Sequence, residues 1–272
     1  MLTFVRDETP VPRCSPRART TTEWRDQAGR MYAVGMTDGQ ERRIDWPDVG
    51  VFRFDPASPT VRFHPSGSQA SEIEDFFDRA IQPLVLQAQG LPVLHASAAS
   101  GPSGAMVFCG PSGCGKSTVS YAVARRKTHE HLADDAVVLQ RASGRWALLR
   151  VPFRPRLRAS AAQHFGVAAP TRATAASGTT PIRAIVSLGQ SPDGPVTPRL
   201  TRVGPTRAFP ILLSTAHCFD DADRDAVSQM VRSYLSVVET VPVFTLDYRP
   251  DFSRIAELLA AVDEAAAAAE RP

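Results

Sequence analysis

Eight consecutive residues, Gly110-Pro111-Ser112-Gly113-Cys114-Gly115-Lys116-Ser117, match the pattern G-x-x-x-x-G-K-[ST] in full, and Thr118 follows. That spacing suits phosphate. Glycines let successive backbone N–H groups turn inward around an anion without side-chain obstruction. A helix beginning at Lys116 would aim its N-terminal dipole at the same anion. Lys116 adds a compact ammonium for the β- and γ-phosphates, and Ser117 a hydroxyl for Mg²⁺. Of the 31 basic residues only Lys116 and Lys127 are lysines. In a chain that uses arginine almost everywhere else, a lysine at this position indicates that a planar, branched guanidinium would not serve there. A chance match of the whole pattern in a chain of this composition has odds of about one in a thousand. The expected ligand is therefore a nucleotide with Mg²⁺, and the motif alone does not separate ATPase, GTPase, transporter motor and kinase.

Two carboxylates follow. Asp134 and Asp135 stand in HLADDAVVL, downstream of the phosphate loop and its helix. Neighbours on a strand face opposite ways. One aspartate can then address the metal while the other takes the proton of an attacking hydroxyl. Ser117 and one of Asp134 and Asp135 are the expected metal ligands, and the other aspartate the expected base. His95 lies in LPVLHASAA; a lone strand histidine is ordinarily a core residue. His64, His129, His131, His164 and His217 are assigned no function.

These residues need elements to hold them. LPVLHASAA (91–99) and AMVFCG (105–110) read as buried strands around a Gly101-Pro102-Ser103-Gly104 hairpin turn. A helix is expected from Lys116 to Lys127. HLADDAVVLQ (131–140) and WALLRVP (146–152) read as strands flanking a turn at Ser143-Gly144. PIRAIVSLG (181–189) and VPVFTLDY (241–248) read as strands, and 166–181 as a mobile loop. Helical faces run through Val227, Met230, Val231, Tyr234, Leu235 and Val238, and through Ile255, Leu258, Leu259 and Val262, with the alanine-rich tail fraying. Upstream, residues 1–30 read as a loosely held, arginine-bearing arm. Strand-like runs MYAVGM, VGVFRFD and TVRFHP, with turns at Asp55-Pro56 and Pro65-Ser66-Gly67, make a small β-rich subdomain. Ser71 and Glu74 form a capping box that opens a helix through Ile73, Phe76, Phe77, Ala80, Ile81 and Leu84. Pro83 should kink that helix. The expected division is 1–71 and 72–272.

Composition narrows the functional classes. The chain has 272 residues, 43% hydrophobic and 22% charged, within the globular range. A net charge of +3 is too small to make nucleic acid the main partner. No apolar run is long enough to span a bilayer, and the first residues carry charge and proline where a signal peptide would be apolar. No membrane partner and a cytoplasmic location are expected. The four cysteines lack metal-ligand spacing. There is no guanine-specifying NKxD motif and no LSGGQ signature.

The series LHASA (94–98), GPSGCGKST (110–118) and LADD (132–135), in that order, resembles the HPr kinase/phosphorylase family, and more closely the wider group of HPr-kinase-like serine kinases. The resemblance covers roughly residues 72–272. It implies an α/β fold with a P-loop kinase domain of the HPr kinase and phosphoenolpyruvate carboxykinase type, here preceded by the β-rich subdomain. It places His95 near the transferred phosphate and makes Asp135 the general base beside Asp134. Arg154 or Arg156 would be a phosphate or substrate clamp. One segment departs from the family. True members carry Glu-Ile-Arg-Gly after the aspartates, whereas WALLRVPFRPRLRAS has no acid, which implies a one-way kinase. Some members of the wider group are lasso-peptide kinases.

The sequence thus points to an ATP-dependent phosphotransferase with a hydroxyl acceptor, a serine of a peptide or small protein foremost. A small-metabolite kinase, or a nucleotide-binding regulatory module with little turnover, are the alternatives. A homo-oligomer is left open.

Overall fold

The computed structural model describes residues 2–26, 28–66, 72–167, 173 and 178–270. Its chain forms a mixed α/β structure in two compact units, one made of Met1–Leu91 with His217–Met230, the other of Pro92–Ala216 with Val231–Pro272.

The first unit is built on six strands: β1 (Thr3–Arg6), β2 (Arg19–Arg25), β3 (Met31–Asp38), β4 (Glu41–Trp46), β5 (Gly50–Phe54) and β6 (Thr60–Pro65), in the order β1-β6-β5-β4-β3-β2. β2 to β6 form an antiparallel meander, and β1 adds parallel to β6. The loose arm expected over residues 1–30 is therefore corrected, because two of its segments are sheet strands. Their apolar signal is faint, since in β2 only Thr21 is fully buried. Pairing with β3, rather than periodicity, orders this strand.

A helical stretch covers the sheet in three pieces: α1 (Ile73–Phe76), a π-helical turn (Phe77–Ile81) and α2 (Gln82–Ala88). Pro83, near the start of α2, has no N–H for the carbonyl four residues back, and its ring crowds that carbonyl. The preceding turn widens instead, so that the Gln82 amide donates to Phe77 O. Ser71 of the expected capping box lies outside the described residues, as does Gly67. Ile73, Phe77, Ile81, Leu84 and Val85 pack with Ile44, Phe52, Phe54, Val61, Phe63 and Phe219 in one core. This packing ties the helical stretch and residues 217–230 to the sheet. The division consequently falls at Leu91 rather than at 71.

The second unit carries β7 (Val93–Leu94), β8 (Ser97–Gly101), β9 (Gly104–Cys109), α3 (Lys116–Ala124), β10 (Glu130–Ala133), β11 (Val137–Ala142), β12 (Arg145–Leu149), α4 (Ala159–Phe165), β13 (Thr179–Gln190), β14 (Arg199–Val203) and α5 (Pro205–Leu213). α6 (Arg224–Thr240), β15 (Val243–Tyr248) and α7 (Ile255–Ala268) complete the chain. The strand order is β10-β8-β9-β13-β12-β11-β7, with β15 joined to β13 and β14 to β15. β13 runs parallel to β9 and to β15. Helices α3 and α7 bury Val119, Val123, Leu258, Val262 and Ala265 against Phe108, Val186, Leu188, Phe244 and Leu246. The expected fraying of the alanine tail is corrected too. α7 continues to Ala268, and Ala265 is fully buried. Most of the expected 166–181 loop lies outside the described residues.

The two segments expected as single strands, 91–99 and 131–140, are each broken. They run antiparallel in the same register on both sides of the break, with Leu94 opposite Val137 and Ala98 opposite Ala133. The ladder is interrupted only where His95 faces the aspartates. Asp135 there takes a left-handed conformation, φ +63°. Aspartate tolerates that region better than most side chains, and strained backbone of this kind gathers at functional sites.

Candidate active site

The glycine-rich loop links the end of β9 to the start of α3. Gly110, Gly113 and Gly115 all have positive φ, from +85° to +132°. At all three a Cβ would also meet a neighbour, at Gly110 the Leu188 O at 2.8 Å. A Cβ on Gly115 would lie 2.4 Å from Tyr248 Oη, and one on Gly113 would lie 2.8 Å from an Arg158 nitrogen. Tyr248 Oη donates to Cys114 O at 2.7 Å, which fastens the loop to the end of β15. Burial holds the Cys114 thiol above its ordinary pKa, so Cys114 is a packing residue rather than a nucleophile.

Lys116 is buried, and its ammonium donates to Gly110 O at 3.0 Å and Pro111 O at 3.1 Å. Those two bonds curl the loop around the ammonium. Beside it lies a cavity of about 400 Å³. Ser112, Gly113, Gly115, Lys116, Ser117 and Thr118 line it, whereas Gly110, Pro111 and Cys114 do not. Gln190 and Tyr248, the last residues of β13 and β15, also reach the cavity. It therefore opens at the carboxyl ends of three mutually parallel strands, β9, β13 and β15. Ligands of open α/β sheets bind at such ends.

The two aspartates occupy different environments. Asp134 is only 5% exposed. Its Oδ1 accepts from Ser97 Oγ at 2.6 Å and from the Asp135 amide at 3.2 Å, while Oδ2 accepts from the Arg156 amide at 2.7 Å. The nearby Ser117 side chain also favours the charged form of this carboxylate. Burial raises the Asp134 pKa, and these hydrogen bonds offset the rise only in part. Asp135 instead lines the cavity, with 30% of its side chain exposed. Arg156 Nε stands 4.0 Å from Asp135 Oδ2.

His95 joins the cavity from the break between β7 and β8. Its amide donates to Thr215 O at 2.6 Å, and Nδ1 lies 3.0 Å from Asp135 O. A carbonyl can only accept, so Nδ1 carries the hydrogen and the neutral ring keeps its lone pair on Nε2. Burial, followed by the charge of Lys116, lowers the His95 pKa and keeps the ring neutral.

The structure thus brings His95, Lys116, Ser117, Thr118 and Asp135 to one cavity, which Asp134, hydrogen-bonded to Ser97, does not line. Of the two arginines expected as clamps, Arg156 lines the cavity and Arg154 does not. Sequence reasoning missed Arg158, Ser97, Tyr248 and Phe252. Ser97 could have been found, since it stands in LHASA two residues after His95. The other three gain their positions only from folding.

No helix among the described residues is long and apolar enough to cross a membrane. No family model matches the chain, and no curated protein matches it. Among solved structures, the chain is similar to one titled as the HPr(Ser) kinase/phosphatase from Coxiella burnetii. The two are 14% identical over 62% of this chain and 86% of that one, with a TM-score of 0.34.

Proposed function

We propose that this chain is an ATP-dependent kinase that transfers the γ-phosphoryl group to a hydroxyl, with a serine of a peptide or small protein as acceptor. One observation carries the reading. A glycine-rich loop holding a buried lysine and a carboxylate, that of Asp135, meet at one cavity, with the buried Asp134 next to it in the chain.

The donors near Ser117 suit Mg²⁺. A hydroxyl and a carboxylate are hard oxygen ligands, and Mg²⁺ commonly takes one or two protein oxygens and leaves the remainder to phosphates and water. Ser117 and Asp134 would hold it, and when bound it supplies neutralisation of phosphate charge. The rest falls to the chain. The loop amides and Lys116 bind and orient the phosphates. Asp135 accepts the proton of the acceptor hydroxyl as the O–P bond forms. Arg156 holds the Asp135 carboxylate in place. His95 stays neutral, and its Nε2 lone pair can accept a hydrogen bond from the acceptor hydroxyl. Cytoplasmic action on a peptide fits this chemistry.

The test is acceptor dependence. Purified protein with ATP and Mg²⁺ should form ADP in proportion to an added serine-containing peptide, and the peptide should gain one acid-stable phosphate. ADP formation that follows a small metabolite instead, or follows no acceptor, would overturn the peptide reading.

A further inference from the structure

The cavity has a second end that the phosphate chemistry does not use. In the sheet, β10 and β8 lie on one side of β9, while β13 and then β15 lie on the other. His95 leads into β8 and Asp135 follows β10, each at the point where its segment passes between that flank and β7 or β11. Phe252 follows β15, and it lines the same cavity together with Val196, Pro198, Pro250 and Ile255. The glycine-rich loop leaves β9, between the two flanks. Adjacent strands stand about 4.8 Å apart, so β8 and β15 are separated by roughly 14 Å. A nucleotide whose γ-phosphate points at Asp135 and whose phosphates cross the loop must extend its base toward β15.

Resting on the nucleotide reading above, we propose that this flank is the base site and that a purine stacks on Phe252. The ring of Phe252 is already packed by a parallel partner. The His164 imidazole lies 4.6 Å from it, centroid to centroid, at an interplanar angle of 19°. Phe165 meets the same ring edge-on at 6.4 Å. A ring fixed on one side by its neighbours loses little freedom when a base covers another part of it. The wall beside it is mixed: Val196, Pro198, Pro250 and Ile255 supply apolar surface, and Arg249, Asp251 and Arg254 supply charge, with Arg254 already paired to Glu257. The helix that supplies His164 is α4. Arg158, just before its first residue, lies against Gly113 of the phosphate loop, and the Arg156 amide two residues earlier bonds Asp134. One short segment therefore touches the metal-side carboxylate, the phosphate loop and the base platform in succession. The acceptor is excluded from this end, because its hydroxyl must reach Asp135, which follows β10.

Binding of ATP and of inorganic triphosphate, each with Mg²⁺, tests the proposal by calorimetry on the wild type, Phe252→Ala and Phe252→Tyr. Base stacking makes the wild type bind ATP more tightly than triphosphate. Phe252→Ala should weaken ATP by about tenfold and leave triphosphate unchanged, while Phe252→Tyr should restore ATP binding. Unchanged triphosphate binding also shows that Phe252→Ala is folded. Photolabelling of the wild type with 8-azido-ATP should mark the 249–255 segment. Equal affinity for ATP and triphosphate, or equal losses for both in Phe252→Ala, would overturn the base site while leaving the phosphate loop standing. Binding of neither ligand by the wild type would overturn the nucleotide reading and the base site with it. Labelling confined to the β8 and β10 flank would place the base on the wrong side and also sink the proposal.

Discussion

Lys116 is held by two carbonyls of its own loop, so its charge is fixed before any phosphate arrives. Fixed charges of this kind cost no reorganisation during reaction. Lys116→Ala should weaken ATP binding and reduce transfer by about 10²–10³-fold. Lys116→Arg should do no better, because a planar fork cannot reach both carbonyls and a phosphate in the space of one ammonium. Steady-state ADP formation measures both, and near-normal transfer by either variant would refute the role. The aspartates separate in the same way. Asn, like Asp, tolerates the left-handed backbone of residue 135, so Asp135→Asn removes the base without adding strain. It should keep ATP·Mg²⁺ binding and lose about 10²–10⁴-fold in transfer. Asp134→Asn should raise the Mg²⁺ concentration needed for half-maximal transfer. A Mg²⁺ titration of each variant gives the answer, and the reverse pattern would exchange the two roles.

At the scale of elements, α3 is fastened to β10 through a buried pair. Ser120 Oγ lies 3.1 Å from His131 Nε2, and the His131 ring meets Phe153 edge-on at 5.0 Å. Burial brings the His131 pKa down to about 4 from 6.5. The unfolded chain therefore takes up a proton below pH 6.5 that the folded chain refuses until about pH 4. Stability contributed by the neutral ring is complete above that window and is lost as pH falls through it, by on the order of 3 kcal/mol. Urea unfolding followed at pH 7.5 and pH 5 should show the loss, and His131→Phe should flatten it. An unaltered pH dependence in that variant would place the effect elsewhere. The helix after residue 71 teaches a different lesson. Its 3.6-residue periodicity was readable, but the π turn was not, because it depends on how the turn before Pro83 widens to accommodate the proline ring.

For the whole molecule, the division of the chain has consequences for truncation. Phe219 is 1% exposed and packs with Trp24 and Phe54 of the first unit, while Thr22 and Arg19 bond Phe219 O and Asp220. A fragment beginning at residue 92 would carry Phe219 with no core to enter, at a cost of roughly 1.5–3 kcal/mol for that side chain alone. Deletion of residues 1–91 should therefore give poorly soluble protein, and Phe219→Ser within the same fragment should improve recovery. Gel filtration compares the two, and a monodisperse 92–272 fragment would contradict the prediction. The direction of the reaction belongs to this scale as well. The segment 150–158 supplies Arg150, Arg154, Arg156 and Arg158 and no acid, and no group of three metal-binding side chains occurs among the described residues. Phosphorolysis relies on metal at the same centre, and this segment adds no carboxylate to help hold it. Phosphopeptide incubated with enzyme, Mg²⁺ and excess inorganic phosphate should release no pyrophosphate; efficient release would show that the reaction runs both ways.

The glycine-rich loop was legible because its conformation depends on local backbone freedom, and that is written in glycines at fixed spacing. The aspartate pair and LHASA were legible for the same reason, as short motifs. Most strands of the second unit showed as apolar runs, since strands buried on both faces exclude polar residues; β14, exposed along most of its length, did not. β1, β2 and β4 left no such signal, because each is ordered by partners and buries few side chains. That His95 faces Asp135 across two broken strands depends on a register shared between segments some 40 residues apart. Arg158, Tyr248 and Phe252 reach the cavity only when the parallel strands align their carboxyl ends. Contacts between residues distant along the chain are set by the packing of the sheet, and no local pattern in the sequence encodes them.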